Sequence, residues 1–291
     1  MISRLGIAML WLVHWLPLPV QALLGNTLGW LLYYAAVKRR TIGAINFNLC
    51  FPEWTKAARR RMLKRHFQAV TRAAIEHGLL WWSSAGRINR LVRIEGLEHF
   101  QSRYGKPLVL LAPHFIGLDM GGVRISTQYH PLVSMYSRLK NPLFDRLMLH
   151  ARTRFGQSVL ISRHEGVRPL IREMKRGLPL YYLPDQDFGA KDAVFAPFFG
   201  IPAATINALP RIAKVAQAAI IPVITRQLPW GRGYVVKFYP AWNDFPGDDL
   251  VNDVTRMNAF IEARVREMPE QYFWLHKRFK TRPVGAAKIY P

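Results

Sequence analysis

With 291 residues, half of them hydrophobic, the chain has material for one sizeable core or two small ones, and its single cysteine, Cys50, excludes an internal disulfide framework and a cysteine-held metal. Its 41 Lys and Arg against 18 Asp and Glu leave a formal charge of +23, which points to anionic partners: nucleic acid, phospholipid headgroups or an acidic carrier protein.

From Leu5 to Val37 the sequence is almost uncharged, with His14 the only ionisable group besides tyrosines, and it is bracketed by Arg4 and by Lys38, Arg39 and Arg40. No small-residue cleavage site follows a short apolar core, so it does not read as a signal peptide. A spanning helix needs about 20 apolar residues, and Pro17 and Pro19 fall in the middle of this run. The stretch is therefore one kinked span, two short helices lying in the interface, or a hydrophobic hairpin packed on the domain. Residues 1–40 are expected to form a hydrophobic membrane-anchoring helix, and the cationic triplet after it places the rest of the chain on the cytoplasmic side. Residues 41–291 are expected to form the main domain, helical over 41–90.

Within that helical part, Thr41 to Phe51 reads as a helix stopped at Pro52-Glu53. Trp54 to Arg65 reads as a basic helix, and His66 to Trp82 as a separate apolar one in which Glu76 is structural. From Leu91 the pattern alternates strands and helices, the signature of an α/β domain with a mostly parallel central sheet flanked by helices. Strands are predicted at 91–94, 107–112, 132–136, 159–161, 178–183, 219–225 and 234–239, with helices at 118–127, 142–155, 166–175, 206–216 and 250–267. No internal repeat or low-complexity linker interrupts them.

Sites in such sheets lie beyond the carboxyl ends of the strands. His114 follows one predicted strand, Arg138 another and Asp185-Gln186-Asp187 a third, so these groups can converge on one crevice. His114 and Asp119 stand in an H-x4-D spacing. If a helix begins near Gly117, Asp119 lies in its first turn, where the macrodipole favours a carboxylate that can reach back to the imidazole. A His so held is a candidate general base; the alternative is a partly buried His beside a helix-opening Asp. Asp185 and Asp187 lack a His or Glu at ligand spacing, which argues for an arginine partner such as Arg152 or Arg138 over a metal. Phe195 to Pro202 reads as a rigid aromatic loop, either the wall of an acyl groove or a core plug. Trp274 to Pro283 interleaves aromatics with Lys277, Arg278, Lys280 and Arg282, which suits phosphate headgroups or single-stranded nucleic acid, although no nucleic-acid motif accompanies it. There is no G-x-S-x-G elbow, Walker loop or G-x-G-x-x-G, so neither a serine acyl-enzyme nor a nucleotide cofactor is expected.

As an ordered set, Asn46-x-x-x-Cys-Phe-Pro-Glu53, His114 with Asp119, Lys140-Asn141-Pro142, Asp185-Gln-Asp187, Phe198-Phe-Gly200 and the closing His-Lys-Arg-Phe-Lys-Thr-Arg-Pro283 resemble the late acyltransferases of lipid A biosynthesis, over nearly the whole chain. The resemblance implies transfer of a fatty acyl chain from acyl carrier protein to a 3-hydroxyacyl chain of an anionic lipid A precursor, without cofactor or nucleic acid, at the cytoplasmic face of the inner membrane. It implies His114 as base with Asp119 fixing the imidazole. Arg152, Asp185, Arg138 and Asn141 are the expected substrate contacts, with Arg152 either binding phosphate or orienting Asp185. Acylation of another lipid, a phosphatidylinositol mannoside or a lysophospholipid, is the competing enzyme class. A basic membrane-binding protein without catalysis is the competitor outside enzymes.

Overall fold

The computed structural model describes residues 2–129 and 131–291. The chain opens with α1 (Ile2–Val13) and α2 (Leu18–Ala35), followed by α3 (Val37–Cys50), α4 (Lys56–Trp82) and α5 (Ala85–Leu91). The prolines set the first break: Pro17 caps α2, and Pro19 sits in its first turn, where its missing N–H would be unpaired anyway. No helix among the described residues is long and apolar enough to cross a membrane. The expected membrane-anchoring helix is thus not supported as a span, because α1, of 12 residues, rises only about 18 Å and α2, of 18 residues with Gln21, Asn26 and Thr27 within it, about 27 Å, against a hydrocarbon core of about 30 Å. Instead α2 lies on α4. A methyl group added to Gly25 would stand 2.4 Å from the Arg72 Cα, and one on Gly29 would stand 2.5 Å from the Gln68 Cα, so only glycine permits this approach.

The basic and apolar stretches expected as two helices are one, α4, whose start is capped by the Thr55 hydroxyl accepting from the Ala58 N–H at 3.2 Å. Its composition changes because its environment does. The first half carries exposed cations, and the second buries Leu79, Leu80 and Trp81. Glu76 is structural as expected: it is buried, accepts from Arg72 Nε at 2.5 Å and also takes the Tyr234 hydroxyl.

Next come β1 (Val92–Glu95), α6 (Leu97–Gln101), β2 (Leu108–Leu111), α7 (Leu118–Ser126), β3 (Val133–Tyr136), α8 (Pro142–Thr153), β4 (Val159–Ser162), α9 (Arg168–Lys175) and β5 (Leu180–Tyr182). The chain continues through β6 (Ala193–Phe198), β7 (Ile201–Ile206), α10 (Ala208–Ala216), β8 (Ala219–Gln227), β9 (Tyr234–Phe238) and α11 (Leu250–Glu267). Seven strands form a sheet in the order β1-β9-β8-β2-β5-β3-β4, parallel except where β8 meets β9. The mostly parallel α/β expectation is therefore met. Every predicted strand of this sheet is present.

Both faces of the sheet are covered, which is why its strands are near-continuous apolar runs. On β2, Val109 and Leu111 pack with α3, α9, α10 and α11, whereas Leu108 and Leu110 pack with the end of α4, α7 and α8. The aromatic stretch 195–202 is not a loop. It spans the antiparallel pair β6 and β7, joined by a tight turn in which Phe199 and Gly200 both have positive φ, 53° and 72°. Phe198 meets Phe279 and Tyr272 while Phe199 meets Phe51 and Trp274, so the stretch plugs the core.

Candidate active site

His114 and Asp185 come from neighbouring parallel strands. Leu111 of β2 pairs with Tyr182 of β5, and three residues beyond each strand-end partner the chain reaches His114 and Asp185 respectively. The His114 loop is pinned from the far end of the sequence: Ile116 N–H donates to the Gln271 carbonyl at 2.8 Å, and Phe273 N–H donates to the His114 carbonyl at 3.0 Å. So held, the imidazole turns toward β5. Its Nδ1 lies 2.7 Å from Asp185 Oδ1, and the His114 backbone N–H donates to both carboxylate oxygens at 3.1 and 3.0 Å.

The Asp185 side chain is 1% exposed and that of His114 is 18% exposed. Burial alone would raise the Asp185 carboxyl. The His114 ring, its hydrogen bonds and the Arg278 charge more than offset this and hold it below the usual carboxylate range. An ionised carboxylate only accepts, so Nδ1 carries the proton, and in the neutral ring Nε2 is the nitrogen with the lone pair. No partner takes Nε2 among the described residues, and His114 lines a cavity of about 950 Å³. That volume is near the top of the range for small-molecule sites.

Asp119 does stand in the first turn of α7, with Gly117 as the helix cap. It does not reach back to His114. Its Oδ1 accepts from Arg152 Nη2 of α8 at 2.8 Å, and its Oδ2 faces His77 Nε2 of α4 at 3.6 Å. The first turn of α7 packs against α4 and α8 as well as Tyr181 of β5, and the cation and imidazole offered by those two helices take both carboxylate oxygens. Burial would raise the Asp119 carboxyl, but the Arg152 and His77 contacts hold it well below its ordinary value. Burial would lower His77, whereas Asp119 and the Ala73 carbonyl, 2.6 Å from Nδ1, raise it overall. Arg152 therefore pairs with Asp119 and not with Asp185. It lines the same large cavity as His114 and also a small one, of about 40 Å³, behind Asp119.

The remaining expected contacts diverge. Arg138 extends into solvent with its side chain 83% exposed, 3.7 Å from Asp145, so it is not the partner of Asp185. Asn141 caps α8: its Oδ1 accepts from the Leu143 and Phe144 N–H groups, and its Nδ2 donates to the Ser3 hydroxyl at 3.0 Å. Asp187 binds the carboxy-terminal segment through the Thr281 N–H and hydroxyl. That segment is interior and not a headgroup surface at its centre, because Trp274 and Phe279 are buried and Arg278 donates to the Ala204 carbonyl and the Thr205 hydroxyl. Burial and the Arg278 charge push His276 down to about 4, so it is neutral and its Nε2 accepts from the Asp187 N–H at 2.9 Å. No group of three or more metal-ligating side chains occurs among the described residues.

Several contributors escaped the sequence. His77 is a polar residue on the largely apolar half of α4, and that mismatch is its signal. The cavity walls combine apolar side chains of α8, α9 and α10, such as Met148, Ile171 and Ile212, with the cations Arg163, Lys191 and Arg211 at its edges. These lie on separate loops and helices, so no spacing announces them.

The site thus places a buried carboxylate behind a histidine whose Nε2 has no partner among the described residues, at the wall of a largely apolar cavity with Arg152, Arg163, Lys191 and Arg211 in its lining. The chain belongs to the bacterial lipid A biosynthesis acyltransferases: that family model matches residues 1–281. It is 35% identical over 292 residues to the lipid A biosynthesis lauroyltransferase of Escherichia coli, covering 99% of this chain and 94% of that protein. It is 34% identical to a lipid A biosynthesis acyltransferase of Haemophilus influenzae, covering 97% and 88%, and 31% identical to the E. coli lipid A biosynthesis myristoyltransferase, covering 94% and 83%.

Proposed function

We propose that this acyltransferase moves a fatty acyl chain from the thioester of an acyl carrier protein to a 3-hydroxyacyl chain of a lipid A precursor, with His114 as general base and Asp185 behind it. The observation that carries this is the His114 imidazole itself, fixed at Nδ1 by Asp185 and open at Nε2 to the cavity. Nε2 takes the acceptor hydroxyl proton as the oxygen attacks the thioester carbonyl. The C–S bond breaks, the new ester forms, and the proton passes from the imidazolium to the departing thiolate. Asp119 acts one step removed, by holding Arg152 in the cavity wall, where the guanidinium is placed to meet an anionic group of substrate or transition state. Purified protein given carrier-bound acyl donor and precursor should yield a product heavier by one acyl group; a free fatty acid as the only product would refute transfer.

Residues 41–291 form the catalytic body in this proposal, helical over 41–90, and residues 1–40 its membrane contact on the cytoplasmic face. Support comes from α1, α2 and the turn between them, which leave Leu5, Leu12, Trp15, Leu23, Trp30 and Leu31 exposed. Lys64 of the basic half of α4 joins α2 through the Tyr34 hydroxyl at 2.9 Å. The triple replacement Leu12→Glu, Leu23→Glu, Leu31→Glu alters only solvent-facing side chains. It should abolish co-sedimentation with anionic vesicles and leave thermal unfolding intact; undiminished vesicle binding would contradict the membrane contact.

A further inference from the structure

A second cationic surface is carried by α9 and α10. On α9 the exposed residues Arg168, Arg172 and Lys175 follow helical spacing, opposite the buried Leu170 and Met174. On the adjacent α10, Arg211, Lys214 and Val215 are exposed. Between the two rows, Val167 and Ile171 of the first and Ile212 and Val215 of the second line the cavity that holds His114. The apolar route to the catalytic nitrogen thus runs between two rows of positive charge.

Part of this charge is neutralised internally. Arg172 lies 3.1 Å from Glu173, and Arg211 lies 3.8 Å from Asp192. Arg168, Lys175 and Lys214 have no ion-pair partner among the described residues, nor do Arg163 and Lys191 at the cavity edge. Unneutralised charge of one sign beside a substrate entrance steers a partner of the other sign. A lipid surface is the poorer fit. On α9, its cap and α10 the exposed large apolar residues are Val167 and Val215, with Leu139 and Phe188 exposed elsewhere on the cavity lining, far fewer than α1 and α2 present, and the basic half of α4 already supplies cations beside those helices.

We infer that the α9–α10 face docks the acyl carrier protein through acidic groups on the carrier, so that the thioester arm enters between the two helices and reaches His114. This rests on the proposed donor, and its failure is separable from failure of that donor.

The test uses the full-length triple variant Arg168→Glu, Lys175→Glu, Lys214→Glu, whose altered side chains are exposed and do not line the cavity. Steady-state transfer is measured with carrier-bound acyl donor, and with the same acyl group as a pantetheine thioester lacking the protein. The variant should show KM for the carrier-bound donor raised about tenfold or more, with kcat and use of the pantetheine thioester unchanged. In the wild type that KM should itself rise with salt. Unchanged KM, an equal loss with both donors, or loss of vesicle binding with KM intact would overturn the docking face, the last by making it a lipid surface. A wild-type protein that uses the pantetheine thioester but ignores the carrier-bound donor would show the donor itself to be wrong, and the docking face would fall with it.

Discussion

Replacing His114 by alanine is expected to lower acyl transfer by about 10²- to 10⁴-fold, the range for loss of a general base, while the protein still folds and binds vesicles. The imidazole is at a loop, partly exposed, and its removal strips no core packing, so any fall in melting comes from the buried Asp185 carboxylate, which keeps the backbone N–H of residue 114 as donor. Asp185→Asn should be damaging in another way. An amide can present its oxygen or its NH₂ to Nδ1, so the tautomer with a free lone pair at Nε2 is no longer enforced, and the developing imidazolium loses its countercharge. Since both changes remove one device, the double variant should lose far less than the product of the two single losses. Stopped assays of purified variants, with melting curves alongside, measure this. Strict multiplicativity would separate Asp185 from the base.

The second large effect is expected at Asp119 and Arg152. Arg152→Ala should reduce kcat by more than tenfold, because it removes a cation of the cavity wall that is held in place by a largely buried carboxylate. Asp119→Asn leaves Arg152 and His77 facing each other without the negative charge between them. It should be destabilising as well as slow, by about 1.5–3 kcal/mol, the usual worth of a hydrogen bond to a charged group. The pH dependence has a definite sign. His77 is raised above its ordinary value, so its contribution to stability is complete below about pH 6.5 and fades as the pH rises through the raised value. Asp119 is depressed, so its contribution persists down to strongly acid pH. Wild-type stability should therefore decline above neutrality by an increment that His77→Gln lacks. Identical alkaline limbs in the two proteins would contradict the His77–Asp119 contact.

What the sequence made legible was local. Strand and helix periodicities placed His114 past one strand, Asp119 in the first turn of α7 and Asp185 past another strand. The partner of His114 was not legible, because it depends on β2 lying next to β5, a neighbour relation set by sheet order across 71 residues. Within reach of the sequence, the H-x4-D spacing favoured the nearer carboxylate. The β6–β7 pair was hidden by Pro197 and Pro202, which demote a strand by removing donors; in the folded chain they face each other across the pair. Charge misled at Trp274 to Pro283, where Arg278 is consumed by backbone and hydroxyl acceptors in the interior. In α4 a change of composition suggested a boundary that the helix does not have.

The most direct test of the central proposal compares lipid A precursors by mass spectrometry in cells that lack the protein's activity, carrying wild type, His114→Ala or Asp185→Asn at matched protein levels. One additional ester-linked acyl chain with wild type, absent with His114→Ala and scarce with Asp185→Asn, is the result expected. The same additional chain at wild-type abundance with His114→Ala would contradict it.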